Sequence, residues 1–153
     1  MFIDRLPRHS RDRTSNPLST NWLAHVPLPG AVTKTILVAD DNPTIRKMLC
    51  RMFEIEEDYD LCAEAENGKQ AIELALHHRP DLIILDLSMP VMNGLEAARE
   101  LKKLMPHVPI ILFTHHAELG NRIGVMNIDV DRIVSKNEAS SLMGHVRALA
   151  PAG

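Results

Sequence analysis

Five polar side chains that could act together in one chemical step stand at the ends of apolar segments of the sequence. Asp40 and Asp41 follow the first such segment, and Asp86 closes a later one. Thr114 ends a further apolar run, and Lys136 follows the last. The set combines three carboxylates, one hydroxyl and one ammonium group.

Such a set is suited to phosphoryl chemistry. Three carboxylates held close together raise one another's pKa unless a cation neutralises them, and oxygen ligands of this kind suit Mg²⁺. Lys136 offers a point charge and Thr114 a hydroxyl donor, both of which suit phosphoryl oxygens. An aspartate can also attack phosphorus directly and form an aspartyl phosphate. Asp86 is the candidate nucleophile, because residues 87–90 turn sharply away after it and leave it accessible.

The elements that must position these residues alternate between strand and helix from residue 34 onward. Short, β-branched apolar runs predict strands, and apolar residues spaced three and four apart predict helices. The predicted strands are 35–39, 61–65, 81–86, 108–114 and 131–135. The predicted helices begin at Asn42-Pro43 and at Asn67, where Gln70 completes a capping box, and then span 94–105, 117–126 and 138–149. The fourth is the weakest prediction, since Gly120 and Gly124 each cost about 1 kcal/mol relative to alanine.

This order predicts an α/β fold of the (βα)5 type, a doubly wound parallel five-stranded sheet. Crossovers of this length make the strands parallel and place helices on both faces. Such sheets bind ligands at the carboxyl ends of their strands. All five polar residues are therefore expected at one edge of the sheet.

Composition excludes several classes of protein. The chain has 153 residues, a formal net charge of −3 and 45% hydrophobic residues, as in an ordinary globular protein. Aromatic residues make up only 3%, which argues against a base-stacking nucleic-acid surface. No apolar run approaches the roughly 20 residues that span a bilayer. Cys50 and Cys62 lack metal-ligand spacing and are expected to be buried free thiols.

Residues 1–33 differ from the rest, with four prolines, many polar residues and no apolar periodicity. We expect this segment to be a disordered N-terminal extension, since it cannot bury enough surface to offset its ordering entropy. An alternative is that translation begins near Val32 and that the start is misassigned. Residues 34–150 form the predicted domain. Because no signal-peptide pattern is present at the N-terminus, we expect a cytoplasmic protein.

The motifs resemble the receiver domain of two-component response regulators, of the stand-alone, CheY-like type, over about residues 34–150. The matching elements are Val38-Ala39-Asp40-Asp41, Asp86-Leu87-Ser88-Met89-Pro90 with Asn93-Gly94, Phe113-Thr114 and Ser135-Lys136. The resemblance implies a flavodoxin-like strand order 2-1-3-4-5.

The resemblance also implies a role for each site residue. A histidine kinase or phosphotransfer protein would pass a phosphoryl group to Asp86. Mg²⁺ would be held by Asp40, Asp41, Asp86 and the backbone carbonyl of Ser88. Lys136 would contact the phosphoryl oxygens, and Thr114 would move toward them and reshape the surface beside the fourth helix and fifth strand. The domain would act as a signalling switch rather than an enzyme, with at most self-dephosphorylation activity.

Several alternatives remain open at this level. Because the chain ends shortly after the last predicted helix, we expect a stand-alone domain that binds an unidentified downstream protein and does not contact nucleic acid or membrane directly. A homodimer through the face of the fourth helix, fifth strand and last helix is a further expectation. The chain could instead be a fragment of a longer regulator, or an adaptor that works without phosphorylation. A Mg²⁺-dependent phosphohydrolase is disfavoured, because Ser88 stands where a second acidic residue would be needed.

Three positions depart from the family pattern. Ile133 replaces the usual aromatic residue three before the lysine, and Asn137 replaces a common proline. His115 follows Thr114 where the family has a small residue, and we expect it to slow hydrolysis of the phosphorylated form. The adjacent pairs His77-His78 and His115-His116 are interpreted as surface residues rather than metal ligands.

Overall fold

The computed structural model describes residues 33–119 and 130–153. Its strands form one five-stranded sheet in the order β2-β1-β3-β4-β5, and every neighbouring pair is parallel. The predicted fold class and strand order are therefore confirmed. The strands are β1 (Lys34–Ala39), β2 (Tyr59–Ala65), β3 (Leu82–Leu85), β4 (Ile110–Thr114) and β5 (Arg132–Ser135).

Among the described residues, α-helices follow β1, β2, β3 and β5, and three of these four helices begin at an asparagine cap. The side-chain oxygens of Asn42, Asn67 and Asn93 each accept a backbone N–H bond of 2.9 Å from the first turn. This type of cap satisfies a donor that the helix itself leaves unpaired. The α-helices are α1 (Pro43–Ile55), α2 (Gly68–His78), α3 (Gly94–Leu104) and α4 (Leu142–Leu149), with short 3₁₀ segments at Ala117–Leu119 and Lys136–Ser141.

Two apolar clusters lie on opposite faces of the sheet. Along β1, Ile36 and Val38 face the cluster that contains α1 and α4, whereas Leu37 and Ala39 face the one that contains α2 and α3. All four side chains are at most 1% exposed. The strand is thus buried on both sides, which explains why its sequence is a continuous apolar run.

Strand β2 contains an irregularity where it pairs with β1. Ile36 lies opposite Leu61, but Leu37 lies opposite Ala63, so Cys62 is an extra residue in β2. Leu61 packs in the cluster with α1, whereas Cys62 and Ala63 pack in the cluster with α2. This two-against-one pairing is a β-bulge.

The last helix differs from its prediction. It was expected to begin at Glu138, but the α-helix begins at Leu142 and is preceded by the 3₁₀ segment. Glu138 has non-helical angles (φ −118°, ψ 41°), and the Ser141 hydroxyl donates a 2.8 Å hydrogen bond to its carbonyl. Serine side chains compete with helical backbone bonding in this way.

Some predictions fall beyond the part of the chain that the structure describes. These are the disorder of residues 1–33, apart from Thr33, and most of the predicted helix at 117–126. Only Ala117–Leu119 of that helix is described, and it is a 3₁₀ turn. None of the described helices is long and apolar enough to cross a membrane.

Candidate functional site

The carboxyl edge of the sheet brings the three predicted aspartates together. Ala39 and Leu85 lie opposite each other at the ends of β1 and β3, and the Asp86 amide donates a 2.8 Å bond to the Ala39 carbonyl. Asp40 directly follows β1 and Asp86 directly follows β3, so the two residues lie next to each other at the same edge of the sheet. Asp40, Asp41 and Asp86 each offer a carboxylate oxygen within 4.8 Å of the others.

Asp40 is buried and held on both of its carboxylate oxygens. Oδ1 accepts a 2.9 Å bond from the backbone amide of Asn42. Oδ2 lies 2.6 Å from the ammonium nitrogen of Lys136. Because Asn42 is also the cap of α1, the turn that starts this helix fixes the Asp40 side chain as well.

Lys136 joins two carboxylates in a buried ion-pair cluster. It follows β5 directly and reaches Asp86 as well as Asp40, with Nζ 3.4 Å from Oδ1 of Asp86. Its side chain is only 5% exposed. One positive charge thus faces two buried negative charges, so the cluster has a net negative charge before any cation binds.

This imbalance has a direct effect on Asp86. Burial raises the pKa of Asp86 above its ordinary value, and the neighbouring Asp40 carboxylate raises it further. The Lys136 ammonium and the Leu87 backbone act in the opposite direction without cancelling the increase. A divalent cation bound beside Asp86 would favour its ionised form.

The residues that directly follow Asp40 and Asp86, Asp41 and Leu87, line an open cleft. Asp41 and Ser88, both predicted as metal ligands, are exposed and line this cleft. The remaining lining residues belong to the loop after β3 and the start of α3: Leu87, Met89, Pro90, Asn93 and Leu95. Asp86 itself is only 6% exposed, so the prediction that the turn after it leaves it accessible is wrong: the exposed residues are its neighbours in the cleft.

Thr114 is at the predicted edge but makes a different contact from the carboxylates. It is fully buried at the end of β4. It lies opposite Ser135, which directly precedes Lys136 in the sequence. Its hydroxyl oxygen accepts a 3.2 Å bond from the backbone amide of His116. In this state the hydroxyl group is engaged with its own loop.

The loop after Asp86 is tightly constrained. The Gly94 amide donates a 2.9 Å bond to the Leu87 carbonyl, and a side-chain methyl at Gly94 would overlap the carbonyl oxygen of Asp86. Val91 has a positive φ of 67°, and the Met92 amide donates a 2.7 Å bond to the Pro90 carbonyl around it. A left-handed β-branched residue at the centre of such a γ-turn is strained.

Two of the residues that depart from the family pattern, Ile133 and His115, differ in their burial. Ile133 is half-buried in the cluster with α2 and α3, as an ordinary aliphatic core residue. His115 and His116 are exposed, in agreement with their interpretation as surface residues.

Neither cysteine forms a disulfide; Cys62 is buried as predicted, whereas Cys50 is only half-buried. Burial raises the pKa of Cys50 to about 12, and the Glu64 carboxylate acts in the same direction. The Cys50 thiol therefore stays protonated at neutral pH, which makes it a poor nucleophile and a poor metal ligand.

One contact of the site was not predicted from the sequence. Arg46, in the first turns of α1, donates a 2.7 Å bond from Nη1 to the backbone carbonyl of Asp40. No motif points to this residue. The only signal is a cationic side chain close after the acidic pair, on a helix whose other face is apolar.

Comparison with known proteins agrees with this geometry. The family model of the response regulator receiver domain matches residues 36–147. A protein-glutamate methylesterase/protein-glutamine glutaminase of Paramagnetospirillum magneticum is 38% identical over 114 residues, which are 74% of this chain and 32% of that protein. The phosphate regulon regulator PhoB of Pseudomonas aeruginosa is 39% identical over 107 residues, 69% of this chain and 46% of that protein. The chain thus spans about a third to a half of the length of these relatives.

Solved structures show the same fold. The response regulator domain of CheB from Thermotoga maritima has a TM-score of 0.71 at 24% identity, covering 79% of this chain and 98% of that one. The receiver domain of AraT from Geobacillus stearothermophilus has a TM-score of 0.68 at 30% identity, covering 78% of this chain and 94% of that one. Together with the family match, these similarities show that the chain belongs to the response regulator receiver domain family, the phosphorylation-controlled switches of two-component signalling.

Proposed function

We propose that Asp86 is the residue on which this receiver domain accepts its phosphoryl group. The observation that carries the proposal is the buried ion-pair cluster in which Lys136 contacts both Asp40 and Asp86. Asp86 stands at the end of the central strand β3, between the strand and the loop residues Leu87 and Ser88 that line the open cleft. A buried carboxylate with a raised pKa at such a strand end is typical of a reactive group.

The donor set fits Mg²⁺. Three carboxylate oxygens within 4.8 Å form an oxygen-only site with excess negative charge, and hard divalent cations prefer such ligands. Asp40, Asp41 and Asp86 would hold the ion together with the backbone carbonyl of Ser88. When bound, the ion supplies positive charge that offsets the negative charge of the phosphoryl oxygens during transfer.

In the transfer itself, a carboxylate oxygen of Asp86 attacks the phosphorus atom of a phosphohistidine. The new O–P bond forms while the P–N bond to the donor imidazole breaks, and its electron pair stays on the imidazole nitrogen. Lys136, already 3.4 Å from Asp86, is placed to donate to a phosphoryl oxygen.

Thr114 provides the response to phosphorylation. Its hydroxyl oxygen accepts from the His116 amide in this state. We propose that the hydroxyl instead donates to the phosphoryl oxygen after transfer, which moves the loop that begins at His115. A phosphoryl group that binds better to this second arrangement shifts the population toward it.

The physiological context follows from the family. We propose that a sensor histidine kinase or phosphotransfer protein in the cytoplasm supplies the phosphoryl group, and that the modified domain binds a downstream protein. Residues 34–150 are the unit proposed to do this, and its own chemistry is limited to phosphorylation and dephosphorylation. A receiver segment of a longer response regulator is the alternative that the partial coverage of the relatives favours.

Intact mass spectrometry tests the acceptor. The protein is incubated with Mg²⁺ and a small acyl phosphate or phosphoramidate, as wild type and as Asp86→Asn. We expect a gain of about 80 Da, one phosphoryl group, on wild type only. Asp81→Asn is the matched control, since Asp81 lies at the opposite end of the same strand.

The control variant should be phosphorylated like wild type. If wild type gains no mass under conditions that phosphorylate another receiver domain, the proposal is wrong and an adaptor role without phosphorylation gains support. A gain on Asp86→Asn equal to that of wild type would place the acceptor elsewhere.

A further inference from the structure

Arg46 connects the turn that carries the acidic pair to two neighbouring elements. It lies on α1, four residues after the cap Asn42, with its backbone amide 3.2 Å from the Asn42 carbonyl. Its Nη1 donates a 2.7 Å bond to the carbonyl oxygen of Asp40. The side chain is only 14% exposed.

The rest of the guanidinium group is held by two carboxylates at the end of β2. Nε lies 3.6 Å from Oε1 of Glu64, and Nη2 lies 3.5 Å from Oε1 of Glu66. The two glutamates are 44% and 69% exposed, so these long ion pairs contribute little to stability. Their effect is geometric, because they orient the planar guanidinium group toward the Asp40 carbonyl.

The Asp40 carbonyl belongs to the peptide unit that joins Asp40 to Asp41. On the other side of Asp40, its amide donates a 3.0 Å bond to the Ala65 carbonyl, which continues the sheet. The bond from Arg46 thus fixes the first peptide unit beyond the sheet. The direction of the exposed Asp41 carboxylate depends on this peptide unit.

We propose that Arg46 is a positioning residue for the cation site: it holds the Asp40–Asp41 peptide so that both carboxylates face one divalent ion, without touching the ion itself. This inference rests on the proposed function, since it takes Asp40, Asp41 and Asp86 as the cation ligands. Residues that orient metal ligands commonly change metal affinity by about 10- to 100-fold when substituted.

An electrostatic role and a positioning role for Arg46 predict opposite changes in cation affinity when the residue is substituted. Removing a positive charge near a cation site strengthens cation binding if only electrostatics matter. Removing a group that positions the ligands weakens cation binding. The sign of the change in affinity after Arg46→Gln therefore separates the two roles.

The experiment measures Mn²⁺ binding from the electron paramagnetic resonance signal of the free ion, without any phosphoryl donor. We expect Arg46→Gln to weaken binding by about 10-fold, at the lower end of the range for ligand-orienting residues. Arg46→Lys should recover part of the loss, because an ammonium group can still donate to the Asp40 carbonyl. Lys47→Gln, an exposed position one residue along, is the charge control and should leave binding unchanged or slightly tighter.

Urea unfolding without metal shows whether a loss of affinity reflects general instability. If Arg46→Gln does not fold, the decision rests on Arg46→Lys, which must then bind Mn²⁺ more weakly than wild type. Unchanged or tighter binding in a folded Arg46 variant overturns the positioning role and leaves the acceptor proposal intact. Absence of binding by wild type itself overturns the proposed metal site and this inference together.

Discussion

The ammonium nitrogen of Lys136 lies 2.6 Å from Oδ2 of Asp40, closer than the 3.4 Å that separates it from Oδ1 of Asp86. The lysine is therefore bound mainly to a proposed metal ligand and only secondarily to the proposed acceptor. A cation bound to Asp40 would take over part of this neutralisation. Lys136 would then become available to a phosphoryl group on Asp86, and cation binding would be coupled to readiness for transfer.

Removal of the lysine should therefore destabilise the metal-free protein. In Lys136→Met, two buried carboxylates lose their shared cation, and breaking a buried pair of this kind costs about 3 kcal/mol. Urea unfolding should show this loss without metal, and millimolar Mg²⁺ should restore part of it, since ligands that bind the folded state stabilise it. An equal loss with and without Mg²⁺ would contradict the shared neutralisation.

The Asp86 carboxylate should lower the free energy of unfolding of the metal-free protein at neutral pH. Because burial and Asp40 raise its pKa in the folded state, the native protein holds a proton that the unfolded chain has released at pH values between the unfolded and the folded pKa. Stability therefore falls as the pH rises from the unfolded to the folded pKa of this group. We expect Asp86→Asn to be more stable than wild type at pH 7 by roughly 1 kcal/mol, the usual size of a single-site effect.

The stability difference between Asp86→Asn and wild type should shrink as the pH falls through the folded pKa of Asp86, because the wild-type carboxyl then becomes neutral. Chemical unfolding of both proteins at a series of pH values measures this stability difference. Mg²⁺ should also reduce the difference at pH 7 by stabilising wild type more than the variant. A variant less stable than wild type at pH 7 without metal would show that the carboxylate is not destabilising.

Gly94 is required by the close approach of the start of α3 to the backbone of Asp86. An alanine methyl would overlap the Asp86 carbonyl oxygen and lie 2.9 Å from its carbonyl carbon. Backbone must shift to admit it, so Gly94→Ala should cost about 2 kcal/mol of stability and impair phosphorylation. Gly144→Ala is the matched control: no atom lies within 4 Å of the added carbon, and in helix α4 it should stabilise by up to about 1 kcal/mol.

Val91 is held in a backbone conformation that suits glycine. Its positive φ of 67° costs a β-branched residue about 1 kcal/mol or more, and its side chain is 77% exposed. Val91→Gly should therefore raise the midpoint of urea unfolding despite losing an apolar side chain. Val91→Ala keeps the strained conformation and should not produce the same gain; equal gains from both variants would assign the effect to the side chain instead.

His115 should lengthen the life of the phosphorylated state. It is exposed directly after Thr114, where its imidazole can restrict the approach of water to a phosphoryl group on Asp86. His115→Ala should lose its phosphoryl group several-fold faster than wild type in a mass-spectrometric time course. His116→Ala controls for loss of a neighbouring imidazole, and an unchanged lifetime in His115→Ala would exclude steric restriction.

Much of the fold could be predicted from the sequence because local signals and topology agree. Asn42 and Asn67 act as helix caps as expected, and the buried run at 82–85 forms the central strand. The alternation of strands and helices brings the ends of β1 and β3 to one edge. The association of Asp40 and Asp86 follows from that topology without knowledge of any side-chain contact.

Other features depend on tertiary contacts that leave no pattern in the sequence. The start of the last helix is displaced by the bond from the Ser141 hydroxyl to Glu138, a local competition that periodicity does not reveal. The preference of Lys136 for Asp40 over Asp86 depends on differences of less than 1 Å. The contact from Arg46 to Asp40 requires the helix direction, which only the packed structure defines.

The bulge at Cys62 determines which side chains at the end of β2 face α1. Before it, Tyr59 and Leu61 pack toward α1; after it, Ala63 and Ala65 pack toward α2, so Glu64 is turned to the α1 side. A regular β2 of the same length, without the bulge, would turn Glu64 to the α2 side, away from Arg46. An irregularity in the edge strand thus places Glu64 beside Arg46, whose guanidinium group donates to the carbonyl of Asp40 in the acidic pair.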